Sequence, residues 1–311
     1  MAELGLPFQG RAWYWVESSY GDSSATDGDI TELPISCKIQ DMRYGIGDKH
    51  KVLRGFDAPN ACHLLEQCSD LTLHLEYIPQ CDDTLIEDVC NRTAEMKLQS
   101  LGFVLGTNRW ITTATDKSSF AFFGCKPKTI RISSSINNEY LITIDFSVKE
   151  VQSCQSDMDG LDCVSACMAS EPAALTGDYL AFNVAGSITK DGADFAYIAD
   201  SIDITINHNL TDKYFFGSLV KQYCIEGAVD YEGTIDISLD EGGRSHEQEI
   251  LNQTAFDVVV NLGGAGCPVI TLNNCKWLNG EFDVNVSGDI LADSARFTGK
   301  PTDGEITAIV S

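Results

Sequence analysis

The most chemically versatile side chains in this sequence are its twelve cysteines, at positions 37, 62, 68, 81, 90, 125, 154, 163, 167, 224, 267 and 275. Thiols either converge with imidazoles on zinc or oxidise to disulfides. Cys62, His63, Cys68 and His74 form the run C-H-x4-C-x5-H, a spacing that matches no standard zinc finger, and His74 falls on an alternating strand. A buried thiol or a disulfide is the expectation there. Cys154, Cys163 and Cys167 cluster in a segment of small and acidic residues. A disulfide with one spare thiol is expected in that cluster, Cys163 and Cys167 being the candidates, in preference to a metal. Cys267 and Cys275 lie on adjacent antiparallel segments and are candidates to staple a hairpin. Catalytic signatures are missing from the sequence: it contains no GxSxG, HExxH, P-loop or dinucleotide fingerprint. Residues 262–266, LGGAG, join two strands and lack the Lys and Ser/Thr of a phosphate loop, so they read as a β-turn. The pattern predicts no enzyme, no cofactor and no metal. Of four sequons, at Asn91, Asn209, Asn252 and Asn285, most are expected to be chance matches.

The elements that would carry these residues belong to a chain of 311 residues, of which 43% are hydrophobic, enough for two ordinary domains with real cores. Its formal charge of -25 argues against binding nucleic acid or anionic membranes. No run approaches 18 consecutive apolar residues, so no membrane helix is expected. The opening MAELGLPFQG has no basic segment and no long apolar run, which predicts synthesis in the cytoplasm. One basic patch stands out against the acidity: Arg43, Lys49, His50, Lys51 and Arg54. It reads either as a solvated turn or as an electropositive prong for the acidic face of a neighbour, and the contrast of sign favours the prong.

Alternation predicts strands at Arg11–Glu17, Pro34–Met42, Leu71–Ile78, 119–124, 128–133, 140–148, 180–188, Ala199–Ile206, Thr234–Leu239, Phe256–Asn261 and 268–272. Gly45 and Gly47 are expected to turn a hairpin that ends at Gly55, and a second hairpin is expected over 207–217. An apolar stripe predicts a helix over Thr84–Leu98, capped by Asp83 or Thr84, and a short helix is expected at His246–Asn252. The run AFFGCKPKTIRISSSINNEYLITIDFSVK (121–149) returns in weaker form as TLNNCKWLNGEFDVNVSGDILADSARFTGK (271–300), each with a Cys at an expected turn. Cys125 to Phe146 spans 21 positions and Cys275 to Phe297 spans 22. Together with the matching order of hairpin, alternating strand and helix in each half, this predicts a tandem duplication. The expected division is 1–150, a Cys-rich linker 151–178, and 179–311.

FFGCKPKTIRISSSINNEYLITIDFSVK resembles the C-terminal hairpin of phage tail tube proteins, in which an F/Y-G-C turn precedes a strand pair. SIDITINHNLTDKYFFG and YEGTIDISLD in the second half are similar to the same family, the major tail tube proteins of tailed phages and archaeal viruses. The resemblance implies a mainly β fold, a β-sandwich or split barrel with one flanking helix per domain. It implies self-assembly into stacked rings, three duplicated chains per ring, through which genomic DNA passes without specific binding. Tail terminator, baseplate or tip, and tape-measure proteins would be the other partners, and the virion tail the location, with no membrane involved. On this resemblance the two hairpins make the contacts between rings, through Arg43, Lys49, His50, Lys51 and Arg54 in the first and Asn209, Lys213 and Tyr214 in the second. The cysteine content and the linker are not part of that pattern. The alternative reading is a two-domain β-sandwich that binds carbohydrate or another cell-surface ligand, with Trp13, Trp15, Trp110 and Trp277 as stacking faces.

Overall fold

The computed structural model describes residues 10–21, 33–35, 38–46, 50–54, 61–66, 70–93, 97–107, 118–155, 175–181, 187–194, 199–218, 220–238, 251–264, 266–282, 292–300 and 309–310. The first half of the chain holds β1 (Gly10–Val16), β2 (Leu33–Pro34), β3 (Ile39–Ile46), β4 (His50–Arg54), β5 (Ala61–Glu66) and β6 (Leu71–Tyr77). The helix α1 (Leu85–Cys90), β7 (Leu101–Thr107), β8 (Ser118–Ser135), β9 (Leu141–Val148) and β10 (Glu150–Gln155) follow. The second half holds β11 (Ser187–Lys190), β12 (Ala193–Asp194), β13 (Ala199–Asn207), β14 (Thr211–Lys213), β15 (Tyr223–Ile225) and β16 (Asp230–Ser238). It ends with β17 (Phe256–Asn261), β18 (Val269–Phe282), β19 (Ala292–Gly299) and β20 (Ile309–Val310). The fold is mainly β, and a large antiparallel sheet dominates it.

Strict alternation sets the layers. In β6, Leu71, Leu73, Leu75 and Tyr77 are buried while Thr72, His74 and Glu76 face outward. Ile202, Ile204 and Ile206 of β13 do the same against Asp203 and Thr205. The inward side chains join one core, in which the Phe103 ring of β7 lies 4.9 Å from that of Phe146 on β9 and packs one layer on the other.

The two halves pair in the same way, strand for strand. The antiparallel order β1–β7–β8–β9–β6–β3, with β2 on β1 and β10 on β8, is repeated as β11–β17–β18–β19–β16–β13, with β12 on β11 and β20 on β18. The bulges correspond as well. Leu101/Phe103 sits opposite Cys125 and Phe256/Val258 opposite Cys275. Pro127/Thr129 answers Trp277/Asn279, and Ile39/Asp41 answers Ala199/Ser201. Between β3 and β6 stands the hairpin β4–β5; between β13 and β16 stands β14–β15.

Several elements differ from expectation. The expected turns at Cys125 and Cys275 are bulges inside the continuous strands β8 and β18. The residue before each cysteine, Gly124 (φ +65°) and Asn274 (φ +54°), takes the left-handed conformation that bends a strand without ending it. Glu17, buried, fixes the first bulge by accepting from the Gly124 and Gly21 amides at 2.8 Å each and from the Ser100 hydroxyl at 2.6 Å. Burial raises the Glu17 pKa; these hydrogen bonds and Lys149 oppose the rise. Gly45 is no turn residue: it lies in β3 opposite Thr72, and Gly47 lies outside the described residues. The helix stops at Cys90 instead of Leu98, because Asn91 turns extended and Arg92 bridges Leu98 as a strand would. Its first amide, of Leu85, is capped by the Asp83 carboxylate at 3.0 Å. β10 carries the first half's sheet through Gln155, past the expected boundary at 150, and residues 156–174 of the expected linker lie outside the described residues. Of the expected second helix only residues 251–252 are described as helical, 246–250 lying outside the described residues.

Gly124→Ala should cost about 1–3 kcal/mol in urea-induced unfolding, because a Cβ there is strained at positive φ and would stand 2.6 Å from Lys149 Cβ. An unchanged unfolding midpoint would show that the bulge yields without cost.

Candidate assembly surfaces

Among the described residues, the halves share the strand pair β8–β13. Residues 129–135 of β8 pair antiparallel with 201–207 of β13, from Thr129↔Asn207 to Ser135↔Ser201, with Ile132 opposite Ile204. Both segments alternate Ile with polar residues, so one face of the junction continues the core and the other continues the polar face. On the polar face the Arg131 guanidinium grips Asp203 bidentately, Nε lying 2.9 Å and 3.1 Å from the two carboxylate oxygens and Nη2 closing a third contact. Those hydrogen bonds, and then the charge of Asp203, raise the Arg131 pKa further. The pair is largely exposed, so its value lies in register more than in stability.

A second contact comes from the β14–β15 hairpin, whose inner side sits on the first half. Lys221, almost wholly buried, pairs with Asp212 at 2.7 Å and donates to the Ser147 hydroxyl, which itself donates to Asp212 at 2.8 Å. Lys126 pairs with Glu226, both largely buried, and Glu226 also accepts from the Leu98 amide at 2.8 Å. Arg92 donates to the Gly227 carbonyl at 2.8 Å. Buried charges of this kind hold a geometry, since removing one partner strands the other.

The outer side of the same hairpin is apolar and exposed. Phe215, Phe216, Val220, Tyr223 and Ile225 all present large hydrophobic side chains to solvent, Phe216 fully so, and the Phe215 and Tyr223 rings meet edge to face at 5.4 Å. Clustered exposed apolar side chains of this kind make the hairpin a candidate contact surface.

The structure distributes the residues singled out in the sequence. Arg43 is exposed on β3 and its Nε lies 2.7 Å from Asp41. His50, Lys51 and Arg54 lie on β4 at register positions opposite Glu66, Leu65 and Ala61; Lys49 lies outside the described residues. Asn209 (φ +49°) closes the base of the second hairpin, donating to the Ala228 carbonyl at 2.8 Å and to Asp230 at 2.6 Å. Lys213 is exposed on β14, and Tyr214 is half-buried beside it. Trp13, Trp15 and Trp277 are buried, which removes them as stacking faces for a sugar; Trp110 lies outside the described residues. His74 of the cysteine-histidine run contacts Asp145 at 2.7 Å across β6 and β9. Neither the Arg131–Asp203 clasp nor the buried Lys221 carries a signature in sequence. The run YFFG in a polar loop was the one legible sign of the apolar patch.

Cys267 is not bonded to Cys275. It forms a disulfide with Cys81, 186 positions away, which ties the loop after β6 to the turn between β17 and β18 and so joins the halves covalently. Cys275 is a buried free thiol on the far arm of the β17–β18 hairpin, pushed up to about 12 by burial and then by Asp257. Cys90, Cys125 and Cys224 are also free and buried. Burial keeps such thiols protonated and inert at neutral pH. Cys163 and Cys167 lie outside the described residues. Cys81→Ser should lower stability by about 2–4 kcal/mol, as loss of a long-range crosslink does, read as a lower urea midpoint; equal midpoints for the oxidised and reduced wild-type chain would contradict a closed Cys81–Cys267 bond.

Compared with known proteins, the chain matches the family described as phage tail tube protein over residues 2–306. No curated protein matches it. The family is a structural one, a component of the virion tail that assembles with itself and with other tail parts. With nearly the whole chain covered and a mainly β fold, the protein belongs to the phage tail tube protein family.

Proposed function

We propose that this chain is the major tail tube subunit, that its two halves are duplicated tube units, and that three copies close one ring of a stacked, hollow tube. The observation that carries this reading is the eight-stranded run β3–β6–β9–β8–β13–β16–β19–β18. It has a buried apolar face, a polar face and, among the described residues, an unpaired edge at each end. An unpaired edge invites another strand. Three copies of that run make 24 strands, and at ordinary strand spacing and tilt such a barrel is roughly 50 Å across, wide enough to pass a double helix.

On this reading the polar face lines the channel. Asp41, Glu76, Asp145, Asp203, Glu232 and Asp236 outnumber Arg43, Arg131, Lys276 and Arg296 there, and an acidic lining lets a polyanion slide without capture. The duplication is supported by the matched pairing order and by the three matched bulge sites. Rings stack through the hairpins. The β14–β15 hairpin brings Phe215, Phe216 and Tyr223 with Lys213 and Tyr214 to the contact, and β4–β5 contributes His50, Lys51 and Arg54. Tail terminator, tip and tape-measure proteins would meet the tube at its ends and in its channel.

Electron microscopy of the purified chain tests this: hollow tubes with three chains per ring are expected. Phe216→Asp should leave rings intact and shorten or abolish tubes, because a buried carboxylate has no partner in the stacking contact. A chain that stays monomeric at high concentration would overturn the tube reading, and full-length tubes of Phe216→Asp would remove the hairpin from the stacking contact.

A further inference from the structure

Resting on the tube reading, we infer that the junction between copies is made by β3 of one copy against residues 280–282 of β18 in the next, in the register of the internal β8–β13 junction and with the polarity of its ion pair reversed. The template is within the chain. Phe146 faces Pro127 as Phe297 faces Trp277, and Leu73 faces Phe146 as Gly233 faces Phe297. Tyr44 faces Leu73 as Ile204 faces Gly233. These correspondences place Arg43 at the position of Asp203 and Glu281 at the position of Arg131. Carrying the internal register across puts Tyr44 opposite Phe282, Gly45 opposite Glu281 and Ile46 opposite Gly280.

Two further observations point to a missing strand beside β3. Tyr44 is 42% exposed although it sits on the core side of its sheet; its counterpart Ile204, flanked by β8, is 0% exposed. Among the described residues, β3 is paired on one edge only, with β6, and residues 276–282 of β18 are paired on one edge only, with β19. The internal junction has both of these edges filled.

The reversal of charge has a consequence for order. Inside the chain the first half offers a cation from β8 and the second an anion from β13. Between copies the second half offers an anion, Glu281, and the first a cation, Arg43. Two first halves joined edge to edge would set Arg131 against Arg43, and two second halves would set Glu281 against Asp203. Like charges across a strand pair repel. Each half therefore rejects its own kind, and the halves alternate around the ring. Arg43 already lies against Asp41 of its own strand, so it reaches the junction with its guanidinium held on the strand's polar face.

The test is a charge exchange in the full chain, followed by sedimentation and electron microscopy. Arg43→Glu and Glu281→Arg should each raise the concentration needed for ring formation by about tenfold or more, and the double exchange should restore it. Tyr44→Cys with Phe282→Cys should give covalent links between copies on oxidation, which reads the register without altering any charge. Wild-type protein that forms no rings would overturn both the tube reading and this junction. Wild-type rings with undisturbed single exchanges, or assembled rings that form no link between positions 44 and 282, would overturn the junction and leave the tube reading standing.

Discussion

The structure depends on one strand shared between two sheets. β8 spends its first residues between β7 and β10 and its last between β9 and β13. The change of neighbours is made at Gly124–Cys125, where a left-handed residue admits a bulge and Glu17 neutralises the amide that the bulge exposes. Were that strand to end at Cys125, as its local sequence suggests, the first half would have no long edge to offer and the halves would be separate bodies. Because it continues, the core runs unbroken under Ile130, Ile132, Ile204 and Ile206, and the joint between halves is as dry on one side as either half's interior.

The joint is secured on three sides by different physics. Ladder hydrogen bonds and buried isoleucines supply most of its cohesion. The buried pairs Lys221–Asp212 and Lys126–Glu226 fix the angle at which the second hairpin lies, since charges removed from water tolerate few geometries. The Cys81–Cys267 bond removes freedom from the unfolded chain. This asymmetry matters for assembly. The internal joint has a covalent tie, so it forms once and stays. On the proposed tube reading, a joint between copies that relied on the ladder and on exposed charges alone would form reversibly, and reversible lateral contacts would let a ring correct itself before stacking.

What the sequence disclosed follows from what periodicity can carry. Leu71–Tyr77, and Ile202–Asn207 within Ala199–Asn207, alternate strictly because one side of each faces a core and the other water, and both strands were legible to within a residue. The family was legible as a resemblance, through the FFGC run and, in the second half, SIDITINHNLTDKYFFG and YEGTIDISLD. β8 and β18 were not legible as single strands, because a Gly or Asn before a Cys reads as a turn when its cross-strand neighbours are unknown. The expected helix is too long because Thr93 and Met96 continue the stripe of Leu85, Ile86, Val89 and Cys90 in the sequence, while the signal that ends it at Asn91 lies in a long-range contact of Arg92 with Gly227. The Cys81–Cys267 pairing spans both halves, and nothing local announces it. Of the assembly surfaces, the charge of the first hairpin showed in composition, whereas the Arg131–Asp203 clasp depends on a register that only the paired strands define.

Matched bulges say more about origin than matched strands do. Antiparallel strands of similar length recur widely, so a shared strand order is weak evidence by itself. A bulge costs ladder hydrogen bonds and is kept where a bend is needed. Three of them recur at corresponding registers in the two halves, at Leu101/Phe103, Pro127/Thr129 and Ile39/Asp41 with their partners, although few side chains around them agree. Pro127 answers Trp277, Leu73 answers Gly233 and Arg131 answers Glu281. The halves share backbone shape while bulk is exchanged between facing core positions, Phe297 lying over Gly233 where Phe146 lies over Leu73. Such exchange is what two halves of one chain can do and identical subunits cannot. On the proposed tube reading, the internal junction is the permanent one and the junction between copies the one that chooses partners, within a frame that both share.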